Sequence, residues 1–90
     1  NPSEGYALLG CYPNPFNSII KIDYHVPSLS NVLVEIYTVT GIKIDKLQSS
    51  IVSAGAHSIY WNANNHSSGI YIVMMTTNSF TESQKIILVK

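Results

Sequence analysis

The side chains of this chain that could do chemistry are His25, His57 and His66, the single Cys11, and the acids Glu4, Asp23, Glu35, Asp45 and Glu82, set among 12 serines. Histidines could ligate zinc or act as general bases. The paired spacing that builds a zinc site is absent, and neither cysteine nor acid joins the three. No GxSxG elbow accompanies the serines, so no nucleophilic triad is indicated. The acids are dispersed over strands and turns, which leaves paired acid and base work unsupported. Asn62, Asn64 and Asn65 could offer oxygens to calcium, but that loop lacks the carboxylates of a tight site. A noncatalytic protein with no metal and no cofactor is therefore expected.

The composition points the same way. Five lysines balance five acids, arginine is absent, and only 11% of the 90 residues are charged. Nucleic-acid binding calls for a basic stripe, and carboxylate or phosphate recognition favours arginine forks, so both classes of partner are disfavoured. A lone cysteine forms no internal disulfide. No apolar run is long enough for a membrane-spanning helix, and direct membrane insertion is not expected. The start at Asn1-Pro2-Ser3, without methionine, suggests a piece of a longer protein.

The elements have a period of two. Residues 1–8 read as a linker, followed by one domain over 9–90. Tyr12-Pro13-Asn14-Pro15-Phe16-Asn17 cannot be ordinary strand or helix, because each proline fixes φ, removes a donor and makes its predecessor extended. Tyr12 and Phe16 are expected to insert into the core as pegs, while Asn14 and Asn17 supply local turn bonds. Ile20, Ile22, Tyr24 and Val26 alternate with charged residues, and Val32, Val34 and Ile36 begin a second strand. Ile42, Ile44 and Leu47 suggest a short edge strand, with a loose serine-rich stretch from Gln48 to Ala54. His57, Ile59 and Trp61 alternate again. Ile70 to Thr76 is a nearly continuous apolar run expected at the centre of a sheet, and Phe80 to Val89 returns as the last strand.

About seven strands, turns every 8 to 12 residues and no helical stretch predict an all-β fold, an immunoglobulin-like Greek-key β-sandwich. Its inner faces should carry Ile20, Ile22, Tyr24, Val34, Ile36, Ile59, Trp61, Tyr71, Val73, Met75, Ile86 and Leu88. Cys11 should be a half-buried thiol.

The motifs also resemble a known family. Tyr12 to Asn17, Ile36-Tyr37 before Thr40-Gly41, Gly55 with His57 and Trp61, Ser67-Ser68-Gly69-Ile70-Tyr71, and the ending Lys85-Ile86-Ile87-Leu88-Val89-Lys90 occur in the order and spacing of one module. Together they resemble the type A C-terminal sorting domain of the type IX (Por) secretion system, which overlaps the immunoglobulin-like domain of flagellar hook capping proteins. Two positions depart from the family pattern: Cys11 where a polar residue usually precedes the tyrosine, and Ser18 where a proline often follows Asn17. The resemblance implies a secretion signal on a cargo that lies N-terminal in the same chain. It implies recognition by an outer-membrane translocon and a sorting peptidase, and a destination on the surface of a Gram-negative-type bacterium or in its medium.

Within that resemblance, Lys85 to Lys90 are the expected recognition residues, two cations flanking a strand competent to pair. Tyr12 to Asn17, Trp61, Gly69 and Tyr71 are expected to be structural. Two other readings share the fold: a passive immunoglobulin-like assembly module, and a carbohydrate-binding accessory domain. The last would present outward aromatics in a row, with Tyr6, Tyr37 and Tyr60 as candidates.

Overall fold

The computed structural model describes residues 5–90, which form seven strands and no helix. They are β1 (Ala7–Tyr12), β2 (Ile19–Val26), β3 (Ser30–Thr38), β4 (Lys43–Val52), β5 (Gly55–Asn62), β6 (Gly69–Thr76) and β7 (Thr81–Leu88). Two antiparallel sheets result, one in the order β1-β2-β5 and the other β4-β3-β6-β7. The chain crosses between sheets after β2, after β4 and after β5, as in an immunoglobulin-like Greek key.

Period two explains the core. In β2, Ile20, Ile22, Tyr24 and Val26 face inward, and in β3 Val32, Val34 and Ile36 meet them from the other sheet, all essentially sealed from water. Every residue expected on the inner faces is buried except Ile59, which is half-buried because β5 is the edge of its sheet. β6 lies between β3 and β7, the central place its apolar run suggested, with Tyr71, Val73 and Met75 inward.

Four differences from the sequence reading have local causes. The expected lead over residues 1–8 meets a strand that begins at Ala7; residues 1–4 lie outside the described residues. Tyr6 already stacks on Phe80 at 5.6 Å and shares a hydrogen bond with Ser30. A bulge between Leu8 and Gly10 lets Leu8 and Cys11, three positions apart, both face the core, which strict alternation forbids. The stretch expected to be loose after Gln48 continues β4 to Val52 through its pairing with β3, from Val34↔Gln48 to Ser30↔Val52. Backbone bonds carry most of it, helped by Val52 packing on the core, since the small polar side chains leave no pattern to read. The pairing with β6 runs out at Leu88, so Val89 and Lys90 lie beyond β7.

Trp61 is 1% exposed, and its indole N–H donates to Asp45 Oδ2 at 2.9 Å, tying β5 to β4 of the opposite sheet. Asp45, on the strand expected at an edge, is therefore a link between sheets. Glu35 is also buried; burial pushes its carboxyl up, but the Tyr37 hydroxyl at 2.8 Å and the Lys43 ammonium at 3.3 Å outweigh this and hold it below the usual range. At the β3–β4 turn, Gly41 has φ 94° and donates its N–H to Thr38 O at 2.9 Å.

Trp61→Ala should cost about 3–5 kcal/mol and leave most of the chain unfolded at room temperature, whereas Trp61→Phe should retain a cooperative thermal transition at lower temperature. Circular dichroism melts distinguish the two outcomes. Burial, with help from the Asp23 charge, pushes the Cys11 thiol from 9.0 up to about 11. The unfolded chain loses this proton first, so the neutral thiol supports folding below pH 9 and that support is lost as pH rises through the folded value. The urea midpoint should fall more between pH 9 and 11 in the wild type than in Cys11→Ala.

Candidate functional site

The motifs scattered along the sequence meet at one pole. β1, β5 and β7 end there while β2 and β6 begin there, and the long axis of the domain measures 38 Å. Tyr12 to Asn17, Trp61, Ser67 to Tyr71 and Lys85 to Lys90 therefore share one end. Gly5 is at the opposite end, against Pro27.

The entry segment closes the free side of the last strand. The Tyr12–Pro13 and Asn14–Pro15 peptide bonds are cis. The segment runs parallel to β7: Phe16 N donates to Ile87 O at 2.8 Å, and Val89 N to Phe16 O at 2.8 Å. Pro13 and Pro15 have no N–H, so they cannot continue this ladder. Asn14 does so with its side chain, its amide donating to Lys85 O at 3.1 Å and its Oδ1 accepting Ile87 N at 2.9 Å. The local turn bonds expected of Asn14 are thus replaced by bonds to a strand more than 70 residues away. Asn17 is exposed and its side chain makes no bond among the described residues.

Behind this ladder stands an aromatic cluster. Phe16, 2% exposed, is the peg its position suggested and lies 5.9 Å from the Trp61 ring. Tyr71 meets Trp61 edge-on at 5.4 Å, and His66 packs on both. The Tyr71 hydroxyl donates to Ser67 O at 2.6 Å, which holds the turn before β6. Lys90 fastens the chain to that turn: its N–H donates to Ser68 Oγ at 3.0 Å and its ammonium to Asn64 O. Gly69 has an ordinary φ and nothing within 4 Å of an added Cβ, so neither conformation nor packing there requires glycine.

Of the terminal six residues, Ile86 and Leu88 are core, Ile87 is half-buried, and Lys85, Val89 and Lys90 are exposed. The pairing-competent edge expected for them is already occupied by the entry segment. Lys85, Val89 and Lys90 present their side chains to solvent instead, on a fixed backbone.

Tyr12 departs from its expected role as a peg. It is 46% exposed, on the outer face of the β1-β2-β5 sheet, with its hydroxyl donating to Asp23. Ser58 Oγ donates to the same carboxylate at 2.6 Å, and the two hydroxyls hold Asp23 below the usual carboxylate range. No histidine joins this cluster: His25 lies 2.7 Å from Gly5 O and His57 2.7 Å from Ser53 O. Asn62 Oδ1 accepts Asn64 N at 3.0 Å, so the amide-rich loop spends an oxygen on its own turn.

Asn14→Ala should remove both side-chain bonds to β7 and cost about 1–2 kcal/mol. The expected signature in hydrogen exchange is faster exchange at the Ile87 amide. The amides of Ile86 and Leu88, which alternate toward β6, should stay protected. Asn14→Asp keeps the acceptor but loses the donor, so Ile87 should be intermediate.

A family model described as the secretion system C-terminal sorting domain matches residues 10–90. No curated protein matches the chain. No solved structure matches it either. The family match covers nearly the whole chain, including the entry segment, the aromatic cluster and the terminal strand that meet at one pole, and the chain belongs to the type IX secretion C-terminal sorting-domain family.

Proposed function

We propose that this domain is a noncatalytic address tag that directs an N-terminal cargo of the same chain through the type IX translocon of the outer membrane, to the cell surface or the medium. The sorting peptidase acts on it after passage. The observation that carries this reading is the convergence of the family's motifs on the pole opposite Gly5. A cargo joined ahead of Gly5 would leave that pole clear for the export machinery.

The recognised surface is a folded one. Lys85, Val89 and Lys90 project from a backbone clamped between β6 and the entry segment, with Ile86 and Leu88 buried beneath it and Ile87 half-buried. Removing the last five residues would take two core side chains with it, so export failure in such a deletion reports unfolding as readily as lost recognition. Charge reversal is the cleaner test, because both lysines are exposed and the one side-chain bond it removes is that of the Lys90 ammonium to Asn64 O.

A reporter fused ahead of the domain should reach the surface or medium, and one lacking residues 6–90 should stay in the periplasm. The double variant Lys85→Glu, Lys90→Glu should retain its cooperative melt yet leave most of the reporter inside. Normal export of that folded variant would remove the two lysines from recognition. Equal display with and without residues 6–90 would make the domain a passive spacer.

A further inference from the structure

The outer face of the β1-β2-β5 sheet carries a built arrangement that the sorting reading does not use. Strand register aligns Tyr12, Lys21 and Tyr60 in one row, and Gly10, Asp23 and Ser58 in the next. Tyr12 is 46% exposed and Tyr60 62%. Their strands lie two spacings apart, roughly 9.5 Å. A Cβ added to Gly10 would lie 4.0 Å from Cδ1 of Tyr12, so the ring extends across the glycine toward Asp23, where its hydroxyl is bound. The ring is thereby laid along the sheet and held at its far end. Lys21 stands between the two tyrosines, 5.5 Å from the Tyr12 ring centroid and 4.0 Å from the Asp23 carboxylate.

We propose that this face binds a neutral β-1,4-linked hexose chain, with Tyr12 and Tyr60 stacking on sugars two apart and Lys21, Asp23 and Ser58 bonding to their hydroxyls. A pyranose has an apolar C–H face that stacks on an aromatic ring and a rim of hydroxyls that needs donors and acceptors. The row supplies both. In a β-1,4 chain alternate sugars present the same face, and two strand spacings match the length of one such repeat. Lys21 and Asp23 cancel in charge, and there is no arginine fork, which suits a neutral chain rather than a phosphate. Gly10, Ala7 and Ala56 are small residues on this face, while Leu9, 59% exposed, stands at the β1 bulge beside it. A tyrosine already fixed in place loses little freedom on binding. This inference does not depend on the sorting reading, and its readout is binding rather than export.

The test is calorimetric titration of the 90-residue chain with cellohexaose, and with α-linked maltohexaose for comparison. Saturable binding of cellohexaose is expected, with maltohexaose at least about tenfold weaker. Tyr60→Ala should lower the affinity for cellohexaose by about tenfold or more at an unchanged melting temperature, since the ring is exposed. Tyr12→Phe keeps the ring but releases it from Asp23 and should weaken binding several-fold. Failure of the wild type to bind cellohexaose, equal binding of maltohexaose, or unaltered affinity in folded Tyr60→Ala would each overturn the proposal. So would sedimentation showing that this face instead joins two copies of the chain, with the association lost in Tyr60→Ala.

Discussion

A β-sandwich has four sheet edges, and an open edge offers unpaired backbone groups to any passing strand. The organisation of this domain depends on how the edge of β7 is closed. Two prolines would ordinarily disqualify the entry segment from pairing, because they provide no N–H. Asn14 resolves this by standing in for the backbone, its amide offering one donor and one acceptor at the spacing of Lys85 O and Ile87 N. Phe16 then takes over with its own main chain. The last strand is thus held from both sides before the chain ends, and its final side chains are displayed from a rigid base.

That clamp is anchored by the cluster beneath it. Phe16 belongs to the entry segment and packs on Trp61, while Trp61 reaches Asp45 on the opposite sheet and Tyr71 braces the turn that receives Lys90. Segments from the beginning, middle and end of the chain are therefore joined through one aromatic group. Loosening any of them would loosen the terminal strand. A small domain gains from this economy, since a chain of 90 residues has little core to spare.

Different devices protect the remaining edges. β4 carries Lys43 and Lys46 and pairs with β3 through two bulges, between Val34 and Glu35 and between Ile36 and Tyr37, which discourage addition of another strand. β1 meets β7 through side chains, with Leu8 N donating to Glu82 Oε1 at 2.9 Å and the Cys11 thiol directed at Gln84. The outer face of the β1-β2-β5 sheet remains open, and there the chain places two of its exposed aromatic rings in one row.

By itself the sequence determined the fold class, most strand positions and nearly all of the core, because alternation of apolar and polar residues is a local consequence of the strand's geometry. It also marked the residues of the pole, since prolines, a lone tryptophan and a Ser-Gly-Ile-Tyr turn stand out in any reading. Tertiary structure alone decided what those residues do. Whether an asparagine bonds to its own turn or to a strand 73 positions away leaves no mark on residue type. The bulge that brings Leu8 and Cys11 to one face is equally silent, as is the continuation of β4 through serines, which rests on main-chain bonds. Tyr12 shows the difference most directly. Its composition allowed a buried peg, but the pairing of β1 with β2 set it beside Asp23 and over Gly10, on the solvent side of the sheet.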